Sequence, residues 1–100
     1  AAKRGGPQVE TALEELGDCL PAPGRPEERL EERETAALIS RFLREQPQMD
    51  RVLFLRRYWY LDSIADLAQR FSIGESQVKS RLHRTRVRLR EALLREGVAV

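Results

Sequence analysis

Cysteine and histidine are almost absent: Cys19 and His83 are the single representatives of their types among 100 residues. That scarcity excludes a disulfide framework and any zinc site assembled from several Cys and His ligands, and it suits a reducing cytoplasm. No apolar run approaches the roughly 18 residues that a membrane-spanning helix needs, and the N-terminal stretch lacks the apolar centre of a signal peptide. Aromatic residues make up only 6% of the chain, and beyond Pro47 glycine occurs only at Gly74 and Gly97. Catalytic vocabulary is missing too. No Gly-rich phosphate loop, no nucleophile beside a base and no metal cluster can be found. The paired acids Glu14/Glu15, Glu27/Glu28 and Glu31/Glu32 are neighbours in sequence and so point to different sides of a helix. The expectation is a protein that is no enzyme and takes no metal or cofactor.

Charge is what the chain has in excess. Asp, Glu, Lys and Arg supply 34% of it, above the usual quarter, yet the net charge is only +2. The small total hides a division at Pro47. Residues 1–46 carry 7 Lys/Arg against 10 Asp/Glu and residues 47–100 carry 11 against 6, so the halves stand at −3 and +5. A basic half of this kind is suited to a polyanion. A hundred residues leave room for one small core. The chain opens Ala1-Ala2-Lys3 without a methionine, as a piece of something longer would.

Residues 1–26 hold four of the six glycines and Pro7, Pro21, Pro23 and Pro26, which marks a flexible acidic linker. Within it Val9, Leu13, Leu16 and Leu20 recur at helical spacing. The alternative to a disordered tether is therefore a short helix over about 8–17, marginal alone and needing a partner surface. The folded domain is expected over 27–100. Pro26 with Glu27 and Glu28 starts a helix reaching about Glu45, whose stripe is Thr35, Leu38, Ile39, Phe42 and Leu43. Pro47 ends it. A second helix from Gln48 to about Tyr60 is apolar almost all round (Val52, Leu53, Phe54, Leu55, Tyr58, Trp59) and should be the most buried element. Ser63 caps a third helix to about Phe71, with Ile64, Leu67, Ala68 and Phe71 inward. After the turn Ser72-Ile73-Gly74, a helix from Glu75 to about Glu96 buries Val78, Leu82, Thr85, Leu89, Ala92 and Leu93. The predicted fold is all-α: a four-helix bundle containing a helix-turn-helix, with a long basic C-terminal recognition helix.

Between Gln77 and Arg90 lie Lys79, Arg81, Arg84, Arg86, Arg88 and Arg90, with no acid among them. A merely solvated helix face would mix signs to gain i,i+4 pairs. Opposite the apolar stripe, at about 100° per residue, stand Ser76, Gln77, Ser80, His83 and Arg84, with Val87. Short polar groups and an Arg flanked by cations suit a helix in the major groove: the face reaches base edges while the flanks hold phosphates. His83 has no second metal ligand on its face, which favours a base or phosphate contact over a metal.

The wording of these segments goes further. Leu55-Arg56-Arg57-Tyr58-Trp59-Tyr60, Ser63-Ile64-Ala65-Asp66-Leu67-Ala68 and above all Val78-Lys79-Ser80-Arg81-Leu82-His83-Arg84-Thr85-Arg86 closely resemble region 4 of bacterial sigma-70-family factors. The likeness is strongest to the extracytoplasmic-function group and covers roughly residues 30–96. The resemblance implies a monomeric helical domain that reads the −35 promoter element with its last helix, docks on the β flap of RNA polymerase and meets anti-sigma factors. It places base reading on Ser80, His83 and Arg84, with Gln77 and Lys79 alongside, and backbone contacts on Arg81 and Arg88; Ser76 joins the first group and Arg86 the second by their place on the helix. Two positions depart from the family: Ser72 stands where Gly is usual and Gly74 where Ser is usual, which bears on the angle of the last helix. Nothing in residues 1–46 resembles region 2, so a fragment of a sigma factor or a lone region 4-like regulator is expected. The competing expectation is a protein-interaction module for an anti-sigma factor or the flap, with little DNA affinity of its own.

Overall fold

The structure is a computed structural model that describes residues 6–17, 19 and 29–97. Every regular element among them is a helix: α1 (Gly6–Leu16), α2 (Arg29–Arg44), α3 (Gln48–Tyr58), α4 (Ile64–Phe71) and α5 (Glu75–Arg95). The predicted start at Pro26-Glu27-Glu28 lies outside the described residues. Four of these helices follow the predicted ranges to within two residues at each described end, and α1 adds a fifth inside the stretch read as linker.

α5 is the axis of the core. Its buried residues Val78, Leu82, Thr85, Leu89 and Leu93 form the stripe expected from period 3.6. The C-terminal half of that stripe packs with Cys19, Phe42, Leu43 and Phe54, and the N-terminal half with Leu53 and Leu67. Ala68, Phe71 and Ile73 close around the second cluster. Thr85 is fully buried without an unmet hydroxyl, because Oγ1 donates to the Arg81 carbonyl at 2.9 Å.

The α3 expectation needs correcting. Its inward residues are Asp50, Leu53, Phe54 and Arg57, so the buried face carries a charge at each end. Trp59 is 68% exposed and Tyr60 54%. The cause is geometric: Trp59 lies about 140° round the helix from Phe54, and α3 ends at Tyr58. The chain then turns through Leu61 at φ 61°, with Asp62 N–H returning to the Arg56 carbonyl at 2.9 Å.

The α4–α5 connection sets the conformations of Ser72 and Gly74. Ser72 caps α4 at φ 56°, ψ 44°, a left-handed conformation that costs an L residue about 1–2 kcal/mol and glycine nothing. Gly74 is the N-cap of α5 at φ −74°, ψ 156°, where no side-chain oxygen meets the free N–H groups and an added Cβ touches nothing. The double variant Ser72→Gly/Gly74→Ser should therefore gain about 1 kcal/mol, or roughly 4–8 °C in Tm. A lowered Tm in a thermal melt would contradict both assignments. By contrast Ser63 already caps α4, its Oγ accepting from Asp66 N–H at 3.0 Å.

Candidate nucleic-acid interface

α5 projects a largely polar face away from the core, with the exposed Val87 as its apolar member. Ser76, Gln77, Lys79, Ser80, His83 and Arg84 are all exposed. Among the described residues Lys79, His83, Arg84 and Arg90 have no hydrogen-bond or ion-pair partner. The six predicted base-reading residues thus share one face of one helix, whose opposite stripe is fully engaged with α2, α3 and α4. Burying that stripe is what orients the polar face outward, since the two are fixed to one another by the helix itself.

The three predicted phosphate contacts separate. Arg88 remains half exposed, its Nη1 3.8 Å from Asp50 Oδ2. Arg81 is half buried and donates from Nη1 to Asp50 Oδ1 at 3.0 Å. Arg86 is drawn inward instead: its side chain is 19% exposed and Nη1 donates to the Tyr58 hydroxyl at 2.6 Å. The cations of α5 are therefore of two kinds, those neutralised by acids from other helices and those left open to solvent.

Arg86 belongs to a polar network that local sequence reading missed. At its centre Arg57, 1% exposed, donates from Nε and Nη2 to the two Glu15 oxygens at 3.2 and 3.0 Å, and from Nη1 to Gln8 Oε1 and the Asp62 carbonyl, both at 2.8 Å. Tyr58 donates its hydroxyl to Glu15 Oε1 at 2.8 Å. Arg56 closes the neighbouring turn through Asp62 Oδ2 at 2.6 Å. Burial alone would raise the Glu15 pKa, but the hydrogen bonds from Arg57 and Tyr58 and the charges of Arg57 and Arg86 outweigh it and hold the carboxyl below its usual range. Burial first, then the bond to Glu15, push the Tyr58 phenol well above its usual value against the opposing Arg86 charge.

These contacts also set the rotation of α1. Gln8, Ala12, Glu15 and Leu16, continued by Cys19, face the domain, while Leu13 is 64% exposed. The predicted stripe through Val9, Leu13 and Leu16 does not form one inward face, and Leu20 lies outside the described residues. No metal-binding cluster occurs among the described residues, and no described helix is long and apolar enough to cross a membrane.

Comparison with protein families, with curated proteins and with solved structures finds no match for this chain.

Proposed function

We propose that this chain is a promoter-reading module of the sigma region 4 type, with α4 and α5 as its helix-turn-helix and α5 as the helix that enters the major groove. The observation that carries the reading is the outward face of α5, where Ser76, Gln77, Ser80, His83 and Arg84 stand exposed beside the unpaired Lys79 and Arg90. Unpaired cations at the rim would hold phosphates, and Arg84 has the planar fork that fits a guanine edge. The phrase from Val78 to Arg86 supports the −35 element as the target and the polymerase β flap as the second partner. In this role the protein performs no catalysis and works in the cytoplasm.

A second reading, an interaction module for an anti-sigma factor or the flap, is favoured by a groove of about 600 Å³ between α2 and α5. Leu38, Phe42, Leu89 and Leu93 line it beside Arg41 and Glu96. The two readings part on salt. With about four phosphate contacts, log K for duplex DNA should fall against log salt with a slope of about −3.5. Binding that does not respond to salt between low and physiological ionic strength removes the DNA reading and leaves the groove.

A further inference from the structure

Every donor around the Glu15 carboxylate comes from the body of the domain, and only the acceptor comes from α1. Arg57 offers a two-pronged fork at 3.2 and 3.0 Å, Tyr58 a hydroxyl at 2.8 Å, and Arg86 a second cation at 3.8 Å. A guanidinium fork fits a phosphate as well as it fits a carboxylate. We propose that this Arg57–Tyr58–Arg86 socket is an oxyanion-binding site whose alternative occupant is a DNA backbone phosphate, which replaces the Glu15 carboxylate as α1 leaves. The inference rests on the reading of α5 as the DNA-facing helix.

Three observations support the exchange. First, α1 buries little apolar surface: among the described side chains of this eleven-residue helix Ala12 is buried, Leu16 is part-buried against the core and Leu13 faces solvent. A helix this short has little stability away from a surface. Residues 17–28 join it to α2 and include the buried Cys19, so the departure of α1 either pivots ahead of Cys19 or draws that side chain from the core. Second, the donors are held in place by contacts that do not involve α1: Arg57 Nη1 donates to the Asp62 carbonyl at 2.8 Å and Arg86 Nη1 to the Tyr58 hydroxyl at 2.6 Å, so the fork that Glu15 vacates is already assembled for another anion. The Glu15 carboxylate and an external anion therefore compete for the same donors. Third, Arg86 lies on the same flank of α5 as the exposed, unpaired Lys79 and Arg90, within about 40° of each round the helix, so the socket lies along the edge where the backbone contacts are proposed and not on the face that carries Arg84. Arg86 then serves two states, paired with α1 in one and with a phosphate in the other. DNA binding and α1 docking oppose each other, and the opposition is reciprocal.

The test uses the full chain and four proteins: the unaltered protein, Glu15→Gln, Glu14→Gln and Glu15→Gln/Arg86→Ala. Glu14 is exposed and carries the same charge one residue away without a contact to the socket. Glu15→Gln should tighten duplex binding about fivefold or more, equally on selected and scrambled sequences, while Glu14→Gln changes it by less than about twofold. Adding Arg86→Ala should abolish the gain. Amide hydrogen exchange over residues 8–16 should lose its protection when duplex is added to the unaltered protein. Equal gains from Glu14→Gln and Glu15→Gln, weaker binding by Glu15→Gln, or an α1 that stays protected on DNA would each overturn the exchange. So would release of α1 by polyglutamate or inorganic phosphate but not by duplex, which assigns the socket to another anion. If the unaltered protein shows no salt-dependent DNA binding, the promoter reading fails and takes this inference with it; normal DNA binding without the Glu15 effect removes the inference alone.

Discussion

Phe54→Ala is expected to remove about 3–5 kcal/mol of stability, while Trp59→Ala, five residues on, should change it by less than about 1 kcal/mol. Phe54 is 2% exposed and packs among Cys19, Phe42, Leu43, Leu89 and Leu93, with its ring edge-on to Tyr58 at a centroid distance of 4.7 Å. Truncating it opens a cavity where α2, α3 and α5 meet, and a domain of this size has only about 5–15 kcal/mol in total. Trp59 is larger and more hydrophobic, yet 68% of it already faces water. Urea unfolding of the two variants beside the unaltered protein separates them, and a Phe54→Ala midpoint superimposed on the unaltered one would refute the packing described for α3. The same contrast shows how a segment of unbroken apolar character conceals its inward side. Val52, Leu53, Phe54, Leu55, Tyr58 and Trp59 cover most of the circumference, and periodicity has no polar gap from which to choose a face.

Arg84→Ala should weaken binding to the selected duplex by about 1–3 kcal/mol, roughly 5- to 150-fold, and flatten the preference over scrambled sequence. Arg84 is exposed and has no protein partner among the described residues, so its loss disturbs no internal contact. Arg88→Ala is the matched control: it should weaken all sequences alike and reduce the salt slope by about one. Because Arg88 already lies 3.8 Å from Asp50, its loss should cost less than that of a fully solvated cation. Duplexes selected from a random pool supply the ligand and the sequence preference together. If Arg84→Ala binds selected and scrambled duplexes as the unaltered protein does, α5 does not lie in the groove as proposed.

The outward face of α5 was legible before any tertiary information for a reason specific to that helix. Twenty-one residues run without Gly or Pro, and Val78, Leu82, Thr85, Leu89 and Leu93 mark one side without ambiguity. Fixing one side of a helix fixes the other, so Ser80, His83 and Arg84 had to face outward once the stripe was buried. The caps around α4 were equally readable, because Ser63 and the Ser72-Ile73-Gly74 turn act over three or four residues. Arg86 was not readable in that way. Its position at the edge of the stripe allows either a phosphate contact or an internal one, and the choice falls to Tyr58 and Glu15, which are 28 and 71 positions away.

What the sequence determined by itself is local and periodic: an all-α fold over the described residues, the bounds of α2 to α5 to within two residues at each described end, the buried stripe of α5 and the polar face opposite. What only the tertiary structure decided is which charges are left over. Asp50 takes Arg81 and approaches Arg88, while Glu15 takes Arg57 and draws Arg86 inward, leaving Lys79, Arg84 and Arg90 open to solvent. The rotation of α1, with Glu15 inward and Leu13 outward, follows from the same pairing. An ion pair leaves no mark on the periodicity of either helix it joins: the attraction depends on distance in space, and Glu15 and Arg57 are 42 residues apart along the chain.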